Sequence, residues 1–350
     1  MNRDLSGLLT SLSDANAKIV YRSLIALSDL DRQELQVFQT AWATFAPALR
    51  RELLAALAEL AEEHVEYDFR AIFRWALADA DPAIRVLAID GLWEDDSPQL
   101  LPHYLRLLQD AEAPVRAAAA LALGRVCYWS ECGDIPEAPG ESAAAALWDV
   151  YQQPQEALEV RRRALEGLAV SCHPQVDQAI KQAYYDGETL LRASALYAMG
   201  RSADPRWIPF LLPELRQPQP ELRLEAARAL GDLEARAAVQ PLLEMMVDEP
   251  DLEVLLAAIA ALSQIGGAKA RRALEALTGS DNEALADAAV TALDEFSDIT
   301  VGDFALIAEV LGLGEEGEED EDEEKFPWED DYEEDPLEAE IRRLMNERDA

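Results

Sequence analysis

What most constrains this chain is a column of residues with almost no side chain, recurring about every 31 positions. The segments APVRAAAALALG (113–124), TLLRASALYAMG (189–200) and PELRLEAARALG (220–231) share one order: apolar, Arg, two variable residues, Ala, two variable residues, Ala, Leu or Met, Gly. With the apolar residue as position zero, nine copies start at Ile19, Leu49, Ile84, Val115, Val160, Leu191, Leu222, Val254 and Leu285. Position seven is Ala or Gly in all nine, and position eight is Leu or Met in all nine. Position four is small in every copy but the second, where it is Leu53. Positions zero, four, seven and eight lie on one stripe of an α-helix. Small side chains there let a neighbouring helix approach closely, and the Leu fills the seam between layers.

Each such helix is preceded by a second amphipathic segment, such as 35–46, 67–78, 205–216 and 238–247. Pro98, Pro174 and Pro205 stand near helix starts, where a missing N–H costs nothing. The pairs Asp81-Pro82, Gln217-Pro218 and Glu249-Pro250 mark the turns between the two helices. No run alternates with period two well enough to read as a strand. The unit is a helical hairpin of about 31 residues, and the fold class is all-α.

These residues resemble the HEAT repeat superfamily, and within it the short type named after phycobilisome lyases, over about residues 14–312. The resemblance implies a right-handed α-α superhelix, a solenoid of about nine hairpins. It also implies a ladder in which an Arg opening each second helix stacks with an Asp in the turn. Arg50, Arg85, Arg116, Arg161, Arg192 and Arg223 occupy that Arg position, with Asp81, Asp110 and Asp186 as the turn acids. Val20, Leu255 and Ala286 replace the Arg in copies one, eight and nine, so the ladder is expected to fade towards both ends.

The net charge of −39 narrows the partners. Residues 313–350 hold 19 acidic and 4 basic side chains, a net of −15, so residues 1–312 still carry −24. Such a surface repels nucleic-acid phosphates and anionic membranes and steers basic or mixed apolar and basic protein surfaces. Neither nucleic acid nor membrane is therefore an expected partner. No secretory leader and no run of 18 apolar residues occurs, and Cys127, Cys132 and Cys172 form no disulfide framework, so a cytoplasmic location is expected. The chain is expected to be a monomer.

The regular spacing is broken once, between copies four and five, by a 45-residue step. Gly, Pro and Ser near 127–142 predict an inserted loop, which serves either as a partner-binding excursion or as a neutral surface insertion. Beyond the solenoid, 1–312, the segment 313–335 reads as an acidic disordered linker and 336–350 as a short C-terminal helix. Phe326, Trp328 and Tyr332 interrupt the acids, so the tail is either a linear binding motif or a solubilising segment.

There is no phosphate-cradling Gly loop, nucleophile elbow or dinucleotide fingerprint. Cys127 and Cys172 lie twelve residues after their repeat anchors, and Cys132 and His173 lie close by in sequence. Their spacing matches no standard zinc pattern, so buried thiols at helix ends are the expectation and no metal is assigned. Deoxyhypusine hydroxylases, which are HEAT-like, bind iron through repeated His-Glu pairs. Here His64, His103 and His173 are followed by Val, Tyr and Pro, so none of those pairs exists and iron oxygenase activity is not expected on ligand supply. The sequence reading is thus a non-enzymatic scaffold or adaptor with no cofactor and no catalytic residue. Its competitor is an accessory or catalytic subunit of a cofactor-attaching enzyme of the phycobilin-lyase kind.

If the second helices line the concave side, positions two, three and six point outwards. They give Tyr21, Val86, Leu87, Arg162, Arg163, Tyr197, Leu224, Arg228 and Leu256 as a partner-binding strip, unless neighbouring layers cover them. Arg161, Arg162 and Arg163 form a basic run that either receives an acidic segment or is one ladder Arg with two solvated neighbours.

Overall fold

The computed structural model describes residues 4–14, 18–280 and 282–295, and the regular structure among them is entirely helical. The chain divides into units 1–298 and 299–350, and every described residue belongs to the first. The tail motif Phe326, Trp328 and Tyr332, the linker and the C-terminal helix lie outside the described residues. Helices pair in chain order: α1 (Leu5–Leu12) with α2 (Tyr21–Leu24), α3 (Arg32–Trp42) with α4 (Pro47–Glu63), and α5 (Arg70–Ala76) with α6 (Pro82–Asp90). Then come α7 (Leu101–Leu107) with α8 (Ala113–Cys132), α9 (Glu137–Tyr151) with α10 (Leu158–Leu168), and α11 (Val176–Tyr184) with α12 (Thr189–Arg201). The array continues with α13 (Ile208–Glu214) and α14 (Pro220–Asp232), α15 (Val239–Asp248) and α16 (Leu252–Ile265), then α17 (Ala268–Leu277) and α18 (283–295). The result is an α-solenoid in which each second helix carries one copy of the sequence repeat.

Local chemistry sets the helix starts. Pro82 opens α6 behind Asp81, whose carboxylate accepts the Ala83 N–H at 3.0 Å. Asp251 caps α16 by accepting from Glu253 and Val254, and Asp31 with Glu34 forms a capping box on α3. At the ends of α12 and α14 the chain turns through left-handed Ala203 and Glu234 (φ 51° and 48°), each twelve residues after its repeat anchor.

The second helices stack on one another as a continuous layer, closest along α8, α10, α12, α14 and α16, while the first helices meet more sparsely across repeats. The contact between second helices has one register: position nine of a copy meets position seven of the next. A Cβ on Gly124 would lie 2.7 Å from the Gly167 Cα, one on Gly200 2.7 Å from the Ala229 Cα, and one on Gly231 2.8 Å from the Ala261 Cα. Ser263 keeps the same register in copy eight, its hydroxyl donating to the Ala292 carbonyl at 2.7 Å. The position-eight residues Leu27, Leu57, Leu92, Leu123, Leu168, Met199, Leu230 and Leu262 are buried.

Three of the six Arg positions make contacts of the ladder kind, and of the expected turn acids Asp110 alone pairs with one of them. Arg85, Arg116 and Arg223 each donate two bonds to carbonyls ending the preceding first helix, at 2.8 to 3.1 Å. Each also reaches forward to the next repeat, Arg85 to Asp110 at 2.7 Å, Arg116 to Glu156 and Arg223 to Glu249 through two bonds apiece. The acid in turn accepts a backbone N–H of its own turn, from Glu112, Ala157 and Asp251 respectively. In copy seven the turn position holds Gln217, and Arg192 instead pairs with Glu214, a buried side chain on α13 that also accepts from the Tyr184 hydroxyl at 2.8 Å. Arg50 and Arg161 bond backbone carbonyls and lie over the rings of Trp42 and Tyr151. Asp186 accepts from the Glu188 N–H, and Asp81 takes its ion pair from Arg51 rather than Arg50.

The loop expected near 127–142 is corrected. The extra residues lengthen two helices: α8 runs on to Cys132 and α9 starts at Glu137, leaving only 133–136 as the turn. Gly133 is the left-handed residue that ends α8 (φ 81°), and Pro139 sits in the first turn of α9, where proline is tolerated. Gly140 serves close packing, since a Cβ there would fall 2.3 Å from the Ser130 Oγ. Loop-forming residue types here act as helix punctuation and contact.

Candidate partner-binding surface

The residues picked from sequence separate by exposure. Tyr21 is exposed and its hydroxyl donates to Glu59 at 2.6 Å. Val86, Leu87 and Leu224 are half-buried, packed onto the core by adjoining layers, and Leu256 is half-buried as well. Tyr197, on α12, remains exposed, and its phenol pKa is raised chiefly by partial burial.

Arg162 and Arg163 are engaged within the chain. The Arg162 Nε donates to Ser194 Oγ at 3.0 Å and its Nη1 to Glu159 at 2.9 Å; Arg163 donates to Glu159 at 2.8 Å and Glu166 at 2.7 Å. Ser194, itself buried, donates to Glu166 at 2.6 Å. The basic run is thus one ladder Arg with two neighbours in a network between α10 and α12. Arg228 is exposed and donates to Glu225 at 3.2 Å on the same helix. Burial, with repulsion from Glu166, raises the Glu225 carboxyl above the usual range. Burial likewise raises Asp232.

Two exposed apolar side chains on α8 were not picked from sequence, Leu121 at position six of copy four and Tyr128 at position thirteen. The Arg201 guanidinium, from α12, lies 5.9 Å from the Tyr128 ring centroid. The longer α8 thus joins Tyr128 to the α12 surface that carries Tyr197 and Arg201. The signal for Leu121 was the same outward position six that selected Tyr197; Tyr128 fell in the stretch read as loop.

The thiols differ from expectation. Cys127 is buried, with its Sγ 3.7 Å from the Gly140 carbonyl oxygen, and burial pushes its pKa up to about 12. Cys132 and Cys172 are exposed, because one ends the extended α8 and the other lies in the turn after α10. The Cys172 thiol donates to Glu131 at 3.1 Å, a bond that raises its pKa. Among the described residues no group of three or more His, Cys, Asp and Glu is placed to hold a metal ion. Nor is any helix among them long and apolar enough to cross a membrane.

The profile of a family described as HEAT repeats matches residues 70–169 and 208–294, more than half of the chain. Deoxyhypusine hydroxylase of Drosophila melanogaster is 26% identical over 175 residues, covering 46% of this chain, which spans 58% of that protein's length. Among solved structures, human deoxyhypusine hydroxylase in complex with glycerol is 17% identical at a TM-score of 0.34, covering 84% of this chain and 96% of that one. The complex of CpcE and CpcF of phycocyanin lyase from Nostoc sp. is 21% identical at a TM-score of 0.47, covering 69% of this chain and 92% of that one.

The likeness to an enzyme in sequence overturns the expectation that this chain is not one. The missing His-Glu pairs bear on a single iron-binding ligand set and leave other chemistry open. For that set the residues do not fit: His64 and His103 are exposed, His64 beside Glu66 at 3.6 Å, while His173 stacks near Trp148 in another repeat.

Proposed function

The chain belongs to the HEAT-repeat family, and on that basis we propose that its second helices present a protein-binding surface centred on Leu121, Tyr128, Tyr197 and Arg201. What carries this reading is exposure. Leu121 is 38% exposed, Tyr128 45% and Tyr197 38%, on a layer whose other apolar side chains are mostly covered by neighbouring repeats. Aromatic side chains with an adjacent Arg are the composition that anchors protein interfaces. The charge of −39 favours partners with a basic or mixed apolar and basic surface.

The test is affinity purification from the native cell with the full chain and with a Tyr128→Asp, Tyr197→Asp double variant of unchanged circular dichroism. Proteins retained by the parent and lost from the variant support the reading; identical sets overturn it. The sequence likeness to a deoxyhypusine hydroxylase supports a second, enzymatic reading. That reading is tested by assaying the purified chain for hydroxylation of deoxyhypusine-bearing protein, with and without added ferrous iron.

A further inference from the structure

Copy three departs from the register that closes the other seams. Position nine, which is Gly, Ala or Ser in copies one, two and four to eight, is Trp93, and a ring of that size cannot enter the close approach made by Gly124, Gly200 or Gly231. Trp93 is left 43% exposed just after α6. Beside it opens a cavity of about 230 Å³ whose lining includes Val65, Tyr67, Phe73 and Trp93, the acids Asp68, Glu94 and Asp95, and one cation, Arg70. Val65 is 91% exposed at one rim, while the Phe73 ring covers Gly91, where a Cβ would fall 2.5 Å away. The cavity therefore joins apolar and aromatic walls to three acids and to Arg70.

The acids are not equivalent. Asp68 is held by Arg70 through Nε at 3.0 Å, and Asp95 is buried and held by Arg74 through two bonds of 2.8 Å. Glu94 is exposed, and among the described residues no side chain pairs with it. A site with an exposed indole and an uncommitted carboxylate matches a planar cation on an apolar stem. The guanidinium of an arginine can stack on an aromatic face, pair with a carboxylate and bury its methylenes against Val65 and Tyr67. Arg70 and Arg74 are engaged by Asp68 and Asp95, so an anion or an acidic segment would have to displace those pairs against the repulsion of a chain of this charge.

We propose that this cavity is a docking site for an arginine side chain presented by a basic segment of a partner protein. The site is distinct from the Tyr128 and Tyr197 surface, so either assignment can fail alone.

The experiment titrates the full chain, at physiological salt, with the acetylated and amidated peptide Gly-Arg-Gly-Arg-Gly-Arg and its lysine and citrulline counterparts. Binding is read by calorimetry for the parent, Trp93→Ala, Glu94→Gln and, as a charge-matched control far along the array, Glu221→Gln. The arginine peptide should bind most tightly, and Trp93→Ala and Glu94→Gln should each weaken it about five-fold, against less than about two-fold for Glu221→Gln. Weakening by Glu221→Gln equal to that by Glu94→Gln, with Trp93→Ala binding like the parent, would mean that the peptide senses only net charge and would overturn the site. So would a citrulline peptide that binds as well as the arginine one. Glu94→Gln lies on an exposed side chain, which keeps the test independent of folding should Trp93→Ala prove unstable.

Discussion

The amino-terminal repeats and those from copy four onward reach the same hairpin stack by different packing. From α8 to α16 the second helices come close enough that Gly124, Gly200 and Gly231 face the backbone of the next repeat, and the core between them is largely Ala and Leu. In copies two and three, where position nine is Ala58 and Trp93, no Gly closes the second-helix seam, and the first helices α3 and α5 bring rings together. Phe38, Trp42, Phe45 and Trp75 form one cluster with centroids 5.5 to 6.2 Å apart, and Phe69 and Phe73 are buried nearby. Small residues trade side-chain volume for backbone proximity, whereas aromatic residues hold helices apart and depend on fit between side chains. Stability should therefore respond to opposite substitutions in the two regions.

The largest effect is expected from emptying the aromatic cluster. Trp42→Ala removes a buried ring together with the indole bond to Asp79 at 2.9 Å, and should cost about 4 kcal/mol. Denaturant unfolding followed by tryptophan fluorescence and by circular dichroism would measure it. A loss of less than about 1 kcal/mol would mean that the rings are not the amino-terminal core.

The ladder sharpens the same contrast. Arg223→Ala strands Glu249, whose side chain is 2% exposed, and should cost about 3 kcal/mol. Arg50→Ala gives up two backbone bonds and a ring contact but strands no acid that it holds, so about 1 kcal/mol is expected. Equal losses from the two variants would show that the ladder works through its backbone caps rather than its ion pairs.

The all-helical class and the hairpin period were legible because position seven tolerates only residues that permit close approach, which a single sequence displays nine times over. The Arg ladder was legible in its cations and less so in its anions. Glu156 stands one residue off the column that Asp110, Asp186 and Glu249 share, and Glu214 belongs to a helix, so neither could be found by turn position. The stretch 127–142 misled because Gly133, Pro136, Pro139 and Gly140 signal a loop by type, whereas their roles are helix end, turn, first-turn residue and contact. Among the surface residues, periodicity identified which side chains leave the helix stripe but not which of them a neighbouring layer covers. That is why Leu224 proved half-buried, whereas Tyr128 was missed because its stretch carries the residue types of a loop.

Seam substitutions give a smaller contrast. Gly200→Leu must displace the Ala229 backbone and should cost about 2 kcal/mol, as should Ala229→Leu from the opposite side. Ala58→Leu, at the matching position of copy two, is half-buried outside the close seams and should cost under about 1 kcal/mol. Thermal melts that shift alike for Gly200→Leu and Ala58→Leu would show that the register does not change between the regions.

The smallest effect concerns the acids that close packing desolvates. Between α12 and α14 burial, with repulsion from Glu166, raises the Glu225 carboxyl despite Arg228 and Arg162 opposing it, whereas in copy three Asp68 and Asp81 are lowered by hydrogen bonds from Arg70 and Arg51. The two shifts act with opposite sign on stability. A raised carboxyl binds a proton more readily in the folded than in the unfolded chain, so its contribution is fully present below the ordinary carboxylate range and is lost as pH rises through the folded value. A lowered carboxyl contributes above that range and loses its contribution as pH falls. Glu225→Gln mimics the protonated form and keeps an acceptor for Arg228. It should raise the melting temperature at pH 7 relative to the parent, with the gain closing as the pH is brought down through the carboxylate range. Asp68→Asn, which removes a favourably charged form, should lower the melting temperature at pH 7, and that deficit should also close in acid. Melts of both variants from pH 4 to pH 8 test the signs together; a Glu225→Gln variant less stable than the parent at neutral pH would mean that this carboxylate is stabilised as an anion by Arg228 and Arg162 in spite of its burial.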